Sequence, residues 1–325
     1  MHLDEKWADI LAQFLVHSLV ASLFVEALAR TWDVRHPGQR MALRLVALGY
    51  PLVLFPALVL FFPHRLDPDF RDGALLAGRT WHDVPFFGLD LYRGFVGGLA
   101  GLGVLLFAAD LRSLLSALRR GKPAPAAPDP AAAARLEAAL APLRARGLAP
   151  PVHYLDRPGP VLFCAGVRRP AVYVSRGALA LLDDQELAAA LAHEAAHAER
   201  KDPERSWVVM GLRAVMCLNP TFQILARTLA RDAERLADER GAELGADRLA
   251  LASGLIKLHR STGGGGRRTL VFGGALAGPL RRARSLDVEL RARALLAPAP
   301  ARLPFGRLRL ALAGAGALGM LYFVV

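Results

Sequence analysis

The chain has 325 residues, is 54% hydrophobic and carries a formal net charge of +12, which makes it more apolar than the roughly 45 to 50% of soluble domains. Its basic residues are mostly Arg and flank apolar blocks instead of forming a stripe of their own, so no direct nucleic acid binding is expected. Two cysteines, Cys164 and Cys217, without CxxC spacing argue against a disulfide-stapled exterior domain and predict reduced, packed thiols.

Four apolar blocks, residues 10–29, 45–62, 92–109 and 308–325, are each long enough to cross a bilayer as helix. Gln13, His17 and Glu26 in the first block, with no small-residue cleavage site, favour an uncleaved span over a signal peptide. His17 and Glu26 read as helix-packing or interfacial groups. Arg30, Arg35, Arg40 and Arg44 follow the first block, and Arg112, Arg119, Arg120 and Lys122 follow the third, so both loops are expected on the cytoplasmic side. The segment 63–90 holds Asp67, Asp69, Asp72, Asp83 and Asp90 and is expected outside. Its Trp81, Phe86 and Phe87 would anchor it at headgroup level or dock a regulatory membrane or extracellular partner. The expected protein is therefore a multi-pass protein of the cell inner membrane with both termini outside and everything between the third and fourth spans in the cytoplasm.

The predicted organisation is three spans in residues 1–110, a linker over 111–134, a cytoplasmic domain over 135–304 and a last span over 305–325. The Pro/Ala-rich stretch 121–134 reads as a semi-rigid spacer. A helix over 135–146, with Pro142 as a possible kink, precedes two short strands at 161–163 and 171–175, separated by a turn at Gly166 and Pro170. Asp183 or Asp184 caps a helix running through 185–199, and Asp202 with Pro203 reads as the N-cap and first position of another. The stretch 207–218 is too short for a further span and is interrupted by Arg213; it reads as a buried or interfacial helix. Four glycines at 263–266 mark a loop.

Chemistry concentrates in LAHEAAHAER. His193 and His197 stand four apart on a helix and present both imidazoles on one face, where two ring nitrogens can share one tetrahedral Zn2+. Glu194, beside the first ligand, is positioned as general base for amide hydrolysis. The surrounding alanines and leucines make the helix apolar, so these polar groups are buried and need partners. RDAERLADERGAE offers Asp232, Glu234, Asp238 and Glu239 as further candidates. Glu234 is assigned to the metal as third ligand, and Asp238, one turn on, to holding a ligand imidazole in its tautomer.

These strings resemble the membrane zinc peptidases of the BlaR/MecR type. The resemblance is carried by GVRRPAVYVSRGALALL, ELAAALAHEAAHAERKDP, the Asn219–Pro220 pair and ERLAD, with RARALL from Arg291 as a weaker match. It implies an α-helical membrane protein with an α+β, zincin-like (gluzincin) cytoplasmic metallopeptidase domain acting on a protein or peptide substrate. It also implies that the strand of Val172, Tyr173, Val174 and Ser175 is an edge against which the substrate backbone pairs. With the chain stopping at Val325, beta-lactam sensing is not expected to carry over. No residue clearly matches a transition-state donor; His259 and Arg291 are the possibilities. The expected activity is zinc-dependent endoproteolysis in regulated proteolysis or signalling. The alternatives are a quality-control or processing peptidase resembling HtpX and the CaaX proteases, and a catalytically silent membrane adaptor, against which the retained Glu194 argues.

Overall fold

The computed structural model describes residues 3–66, 85–86, 89–119, 124–261, 281–304 and 306–322. The glycine loop at 263–266 and most of the 63–90 segment, including Trp81 and Phe87, lie outside them. Contacts divide the chain into two compact units, one of residues 1–108, 213–229 and 301–325, the other of 109–212 and 230–300.

The first unit is helical. It contains α1 (Leu3–Thr31), α2 (Pro37–Gly49) and α3 (Phe55–Phe61), the start of α4 (Leu91–Arg119) and α12 (Gly306–Tyr322). Two helical stretches, Leu11–Thr31 and Gly94–Arg112, are long and apolar enough to cross a membrane. Leu19, Leu23, Phe95 and Leu105 on them point outward, a surface that supports membrane association. The second expected span is not one helix: Tyr50–Leu54 forms a π-helical turn between α2 and α3. Pro51 and Pro56 remove two backbone donors there, which breaks the regular α ladder. The fourth is described as a 17-residue helix, with residues 323–325 outside the description.

Polar groups in this unit are used for packing. Arg44 donates to Glu26 at 2.5 Å, joining α2 to α1, and Asn219 donates to Ser18 at 2.7 Å. The stretch 207–218 contributes to α8 (Asp202–Val215), whose fully buried Arg213 donates to Gln223 at 2.8 Å. Gln223 lies on the next helix, α9 (Pro220–Glu243).

The second unit sets α-helices on a three-stranded sheet of β3 (Val152–Leu155), β4 (Leu162–Ala165) and β5 (Ala171–Ser175), in the order β3-β5-β4. The strands β1 (Pro85–Phe86) and β2 (Leu89–Asp90) pair antiparallel within the first unit and are not part of this sheet. β3 pairs parallel and β4 antiparallel to β5. Helix α5 (Pro130–Ala145) begins inside the expected linker, because Asp129 accepts from the Ala132 amide at 2.8 Å and Pro130 follows it in the first turn, a strong start signal ahead of an alanine run. Helices α6 (Arg176–Leu181), α7 (Asp184–Glu199), α10 (Arg248–Ser261) and α11 (Arg281–Leu296), with residues 109–119 of α4, 202–212 of α8 and 230–243 of α9, complete the unit. Leu140, Leu143, Val172, Val174, Leu187 and Leu191 share one core between α5, the sheet and α7. That packing buries α7 over most of its length and fixes the helix from which the site is built.

Candidate metal centre

Helix α7 starts with a reciprocal cap: Asp183 accepts from the Glu186 amide at 2.8 Å, and Glu186 accepts from the Asp183 amide at 3.0 Å. Its alanines allow close packing on all sides. His193, Glu194 and His197 are buried near its other end. The two imidazoles meet edge to face, with Nε2 atoms 3.1 Å apart.

Glu234 reaches them from α9. Its Oε2 is 3.8 Å from His193 Nε2 and its Oε1 3.8 Å from His197 Nε2. Gly241 makes this approach possible, since a Cβ there would stand 3.3 Å from the His193 backbone nitrogen. The three donor groups lie within 4.8 Å of one another. Donors in a tetrahedral site with metal–ligand bonds near 2.0–2.2 Å are about 3.3 Å apart, so two imidazole nitrogens and a carboxylate so placed fit a divalent metal with little movement. Glu194 Oε2 is buried beside them without a hydrogen-bond partner among the described residues.

Both outer ring nitrogens face carboxylates. Asp202 lies 2.8 Å from His197 Nδ1, and Asp238 Oδ1 lies 3.0 Å from His193 Nδ1, a close contact not aligned as a hydrogen bond. Arg291, buried on α11, donates to Asp238 at 2.8 and 2.7 Å and sits 2.9 Å from Glu234 Oε2. Burial alone would raise the Glu234 and Asp238 carboxyls, but the Arg291 charge, with the nearby histidines, holds both below the ordinary carboxylate range. Burial likewise works against a charged His197; its Asp202 hydrogen bond and the charges of Glu234 and Glu194 outweigh that and raise it to about 9. An anionic enclosure that favours a proton on a buried imidazole also favours a metal cation in its place.

Asp202 was legible only as a helix cap. Its carboxylate instead turns back to His197, because Lys201 adopts a left-handed φ of 54° between α7 and α8. A non-glycine residue in that conformation costs about 1–3 kcal/mol and is found at functional positions. Arg291 had only the weak RARALL string to mark it. The structure places it in ion pairs with Glu234 and Asp238. Among the other candidates, Glu239 pairs with Arg248, Asp232 is buried outside the donor set, and His259 lies on α10 away from it.

The expectation for Val172, Tyr173, Val174 and Ser175 is corrected. These residues form β5, the middle strand, with β3 on one side and β4 on the other, so its backbone cannot accept an added strand. Ser175 is fully buried and caps α6 by accepting from the Ala178 amide at 3.1 Å. An outer strand of the sheet, among the described residues, is β4. Its Cys164 is a free, fully buried thiol. Burial first, then the charges of Glu194 and Asp202, push that thiol up, so it packs as a neutral group.

Residues 157–263 match the family model described as BlaR1 peptidase M56, consistent with a protein of the BlaR/MecR type. The matched segment contains His193, Glu194, His197, Glu234 and Asp238, while Arg291 lies beyond it. M56 peptidases are metal-dependent. No solved structure matches the chain.

Proposed function

We propose that the chain is a membrane zinc endopeptidase of the gluzincin kind, cutting a cytosolic or membrane-associated protein in regulated proteolysis. The observation that carries this is the convergence of His193, His197 and Glu234 within 4.8 Å beside the buried, unpartnered carboxylate oxygen of Glu194. A structural metal needs no such base, whereas peptide hydrolysis does.

When bound, zinc supplies Lewis-acid chemistry that polarises the scissile carbonyl and acidifies water. Glu194 takes the proton of the attacking water and returns it to the leaving amine. Asp202 and Asp238 orient His197 and His193 so that both Nε2 atoms face inward. Arg291 keeps Glu234 and Asp238 ionised. An extended substrate adds to the outer edge of β4, through main-chain hydrogen bonds.

Glu194→Gln is the test, because it removes the base and leaves all three ligands. The purified variant is expected to keep one zinc per chain and to lose about 100-fold or more of its peptide-cleaving rate. Unchanged cleavage would remove Glu194 from the mechanism. The Arg-rich loops further support a cytoplasmic catalytic unit: a cysteine replacing Ala127 should react with an impermeant reagent only after permeabilisation, and one replacing Asp69 without it. The opposite pattern would invert this topology.

A further inference from the structure

At one end of the helical unit, the N-terminal turn of α2 and its cap are fastened to the segment entering α12. The Gln39 amide donates to the Leu303 carbonyl at 2.8 Å and accepts from the Leu303 amide at 2.9 Å, and Arg302 donates to His36 at 3.1 Å. Beside this clamp lies a cavity of about 290 Å³ whose wall includes Trp32, Leu43, Leu310, Arg307 and Arg309. No carboxylate lines it. Nearby acids are already engaged: Glu26 with Arg44 and Arg40, and Asp33 with Arg35. Neither Arg307 nor Arg309 has an ion pair among the described residues.

Arg309 is the informative group. Its guanidinium stands 5.8 Å from the centre of the Trp32 ring, and its Nη1 is buried without a hydrogen-bond partner. Leaving a charged donor buried and unmatched is costly, and a cation stacked on an indole is held ready for an acceptor on its free edge. The first turns of α2 and α12 both border the cavity, at Gly38 and Gly306, and helix N-termini add positive potential. Apart from Gln39, whose amide is taken up by the Leu303 backbone, the rest of the wall is apolar. The cavity is therefore built for an amphiphile with an anionic head and a hydrocarbon body. Its volume is at the lower end of small-molecule sites, enough for a headgroup and the first methylenes, with the remaining chain outside.

We propose that this cavity binds one anionic phospholipid, its phosphate on Arg309 and Arg307 and its acyl chains leaving along Leu43 and Leu310. Basic pockets between helices at a membrane face are the usual geometry for such headgroups. The site is separate from the metal centre and does not depend on proteolysis.

The test is native mass spectrometry of the delipidated full chain in detergent, titrated with phosphatidylglycerol or phosphatidylcholine. One phosphatidylglycerol is expected to bind in preference to phosphatidylcholine. Arg307→Gln with Arg309→Gln should weaken it about 30-fold, the loss expected for two surface-potential contacts. Ala42→Phe, which fills the apolar wall and leaves both arginines, should also weaken it. Inorganic phosphate at millimolar concentration should not displace the lipid. Equal binding of the two lipids, undiminished binding by both variants, or displacement by inorganic phosphate would overturn the proposal, the last by making this a free-anion site. Circular dichroism of each variant separates loss of binding from loss of helix.

Discussion

His17 on α1 and the pair on α7 are all buried histidines in apolar helices, yet they are held differently. His17 Nδ1 lies 2.6 Å from the Gln13 carbonyl one turn back on its own helix, and its ring packs against Tyr50 at 5.9 Å. His193 and His197 have carboxylates from two other helices behind Nδ1 and each other's Nε2 in front. A carbonyl of its own helix meets the His17 Nδ1 locally. Carboxylates drawn from separate helices aim the opposite nitrogens at a shared point, and two Nε2 atoms 3.1 Å apart are satisfied either by a proton shared between them or by a cation that both can bind. Burial alone does not mark a ligand; the origin of the partner does.

The largest effect tests that distinction directly. His193→Ala or His197→Ala should abolish stoichiometric metal binding, since each removes one of three protein donors. His17→Ala should leave metal content unchanged and cost about 1–3 kcal/mol of stability, as a buried hydrogen bond and its packing are lost. Elemental analysis and thermal unfolding read both. Loss of metal from the His17 variant would break the comparison.

A second pair sharpens it by addressing the carboxylates behind the ligands. Asp202→Asn should weaken metal binding by about 10 to 100-fold without removing the site, because the amide still reaches His197 but no longer raises its basicity as a ligand. Arg291→Met acts differently. It leaves Glu234 and Asp238 buried without their cation, a loss of about 3–5 kcal/mol for a broken buried pair. Zinc can take over part of that compensation at Glu234, so the metal-free variant should lose more melting temperature than the loaded one. Equal losses in the two forms would show that Arg291 does not act through the ligand carboxylate.

How far these partners could be seen beforehand depends on how locally they are encoded. His193, Glu194 and His197 are legible because helical period puts them together within one turn, and Glu234 with Asp238 because the same period pairs them on one returning helix. Asp202 is adjacent in sequence but its role depends on the left-handed turn at Lys201, and a lysine gives no sign of such a turn, where a glycine would. Arg291 meets Asp238 across 53 residues, a contact that no period or cap announces. The mistaken edge strand has a similar origin. β3 is only VHYL, too short and too polar at His153 to be read as a strand, and without it β5 looks like an outer one. In the apolar unit, hydropathy reveals the stretches but not the π-helical turn that divides the second of them.

The smallest expected effect concerns Glu186, the other buried acid of α7, which separates a structural charge from a functional one on the same helix. Its carboxylate accepts from Ser253 at 2.6 Å and Lys257 at 2.6 Å as well as from the Asp183 amide, so it caps α7 and ties it to α10. Burial pushes its pKa up, but Lys257, Ser253 and that amide together bring it below the ordinary value of 4.5. A depressed folded-state value means that the stabilisation is fully present above 4.5 and fades as pH falls through the lowered value. Glu186→Gln keeps the shape and part of the hydrogen bonding, so it should cost about 1–2 kcal/mol at neutral pH. The difference from wild type should shrink as unfolding is measured at successively lower pH below 4.5. Metal content should not change, because Glu186 meets Asp183, Ser253 and Lys257 in the first turn of α7, at the other end of the helix from His197. A gap that stayed constant with pH would assign the stabilisation to shape instead of charge, and a fall in zinc would mean that the two ends of α7 are coupled.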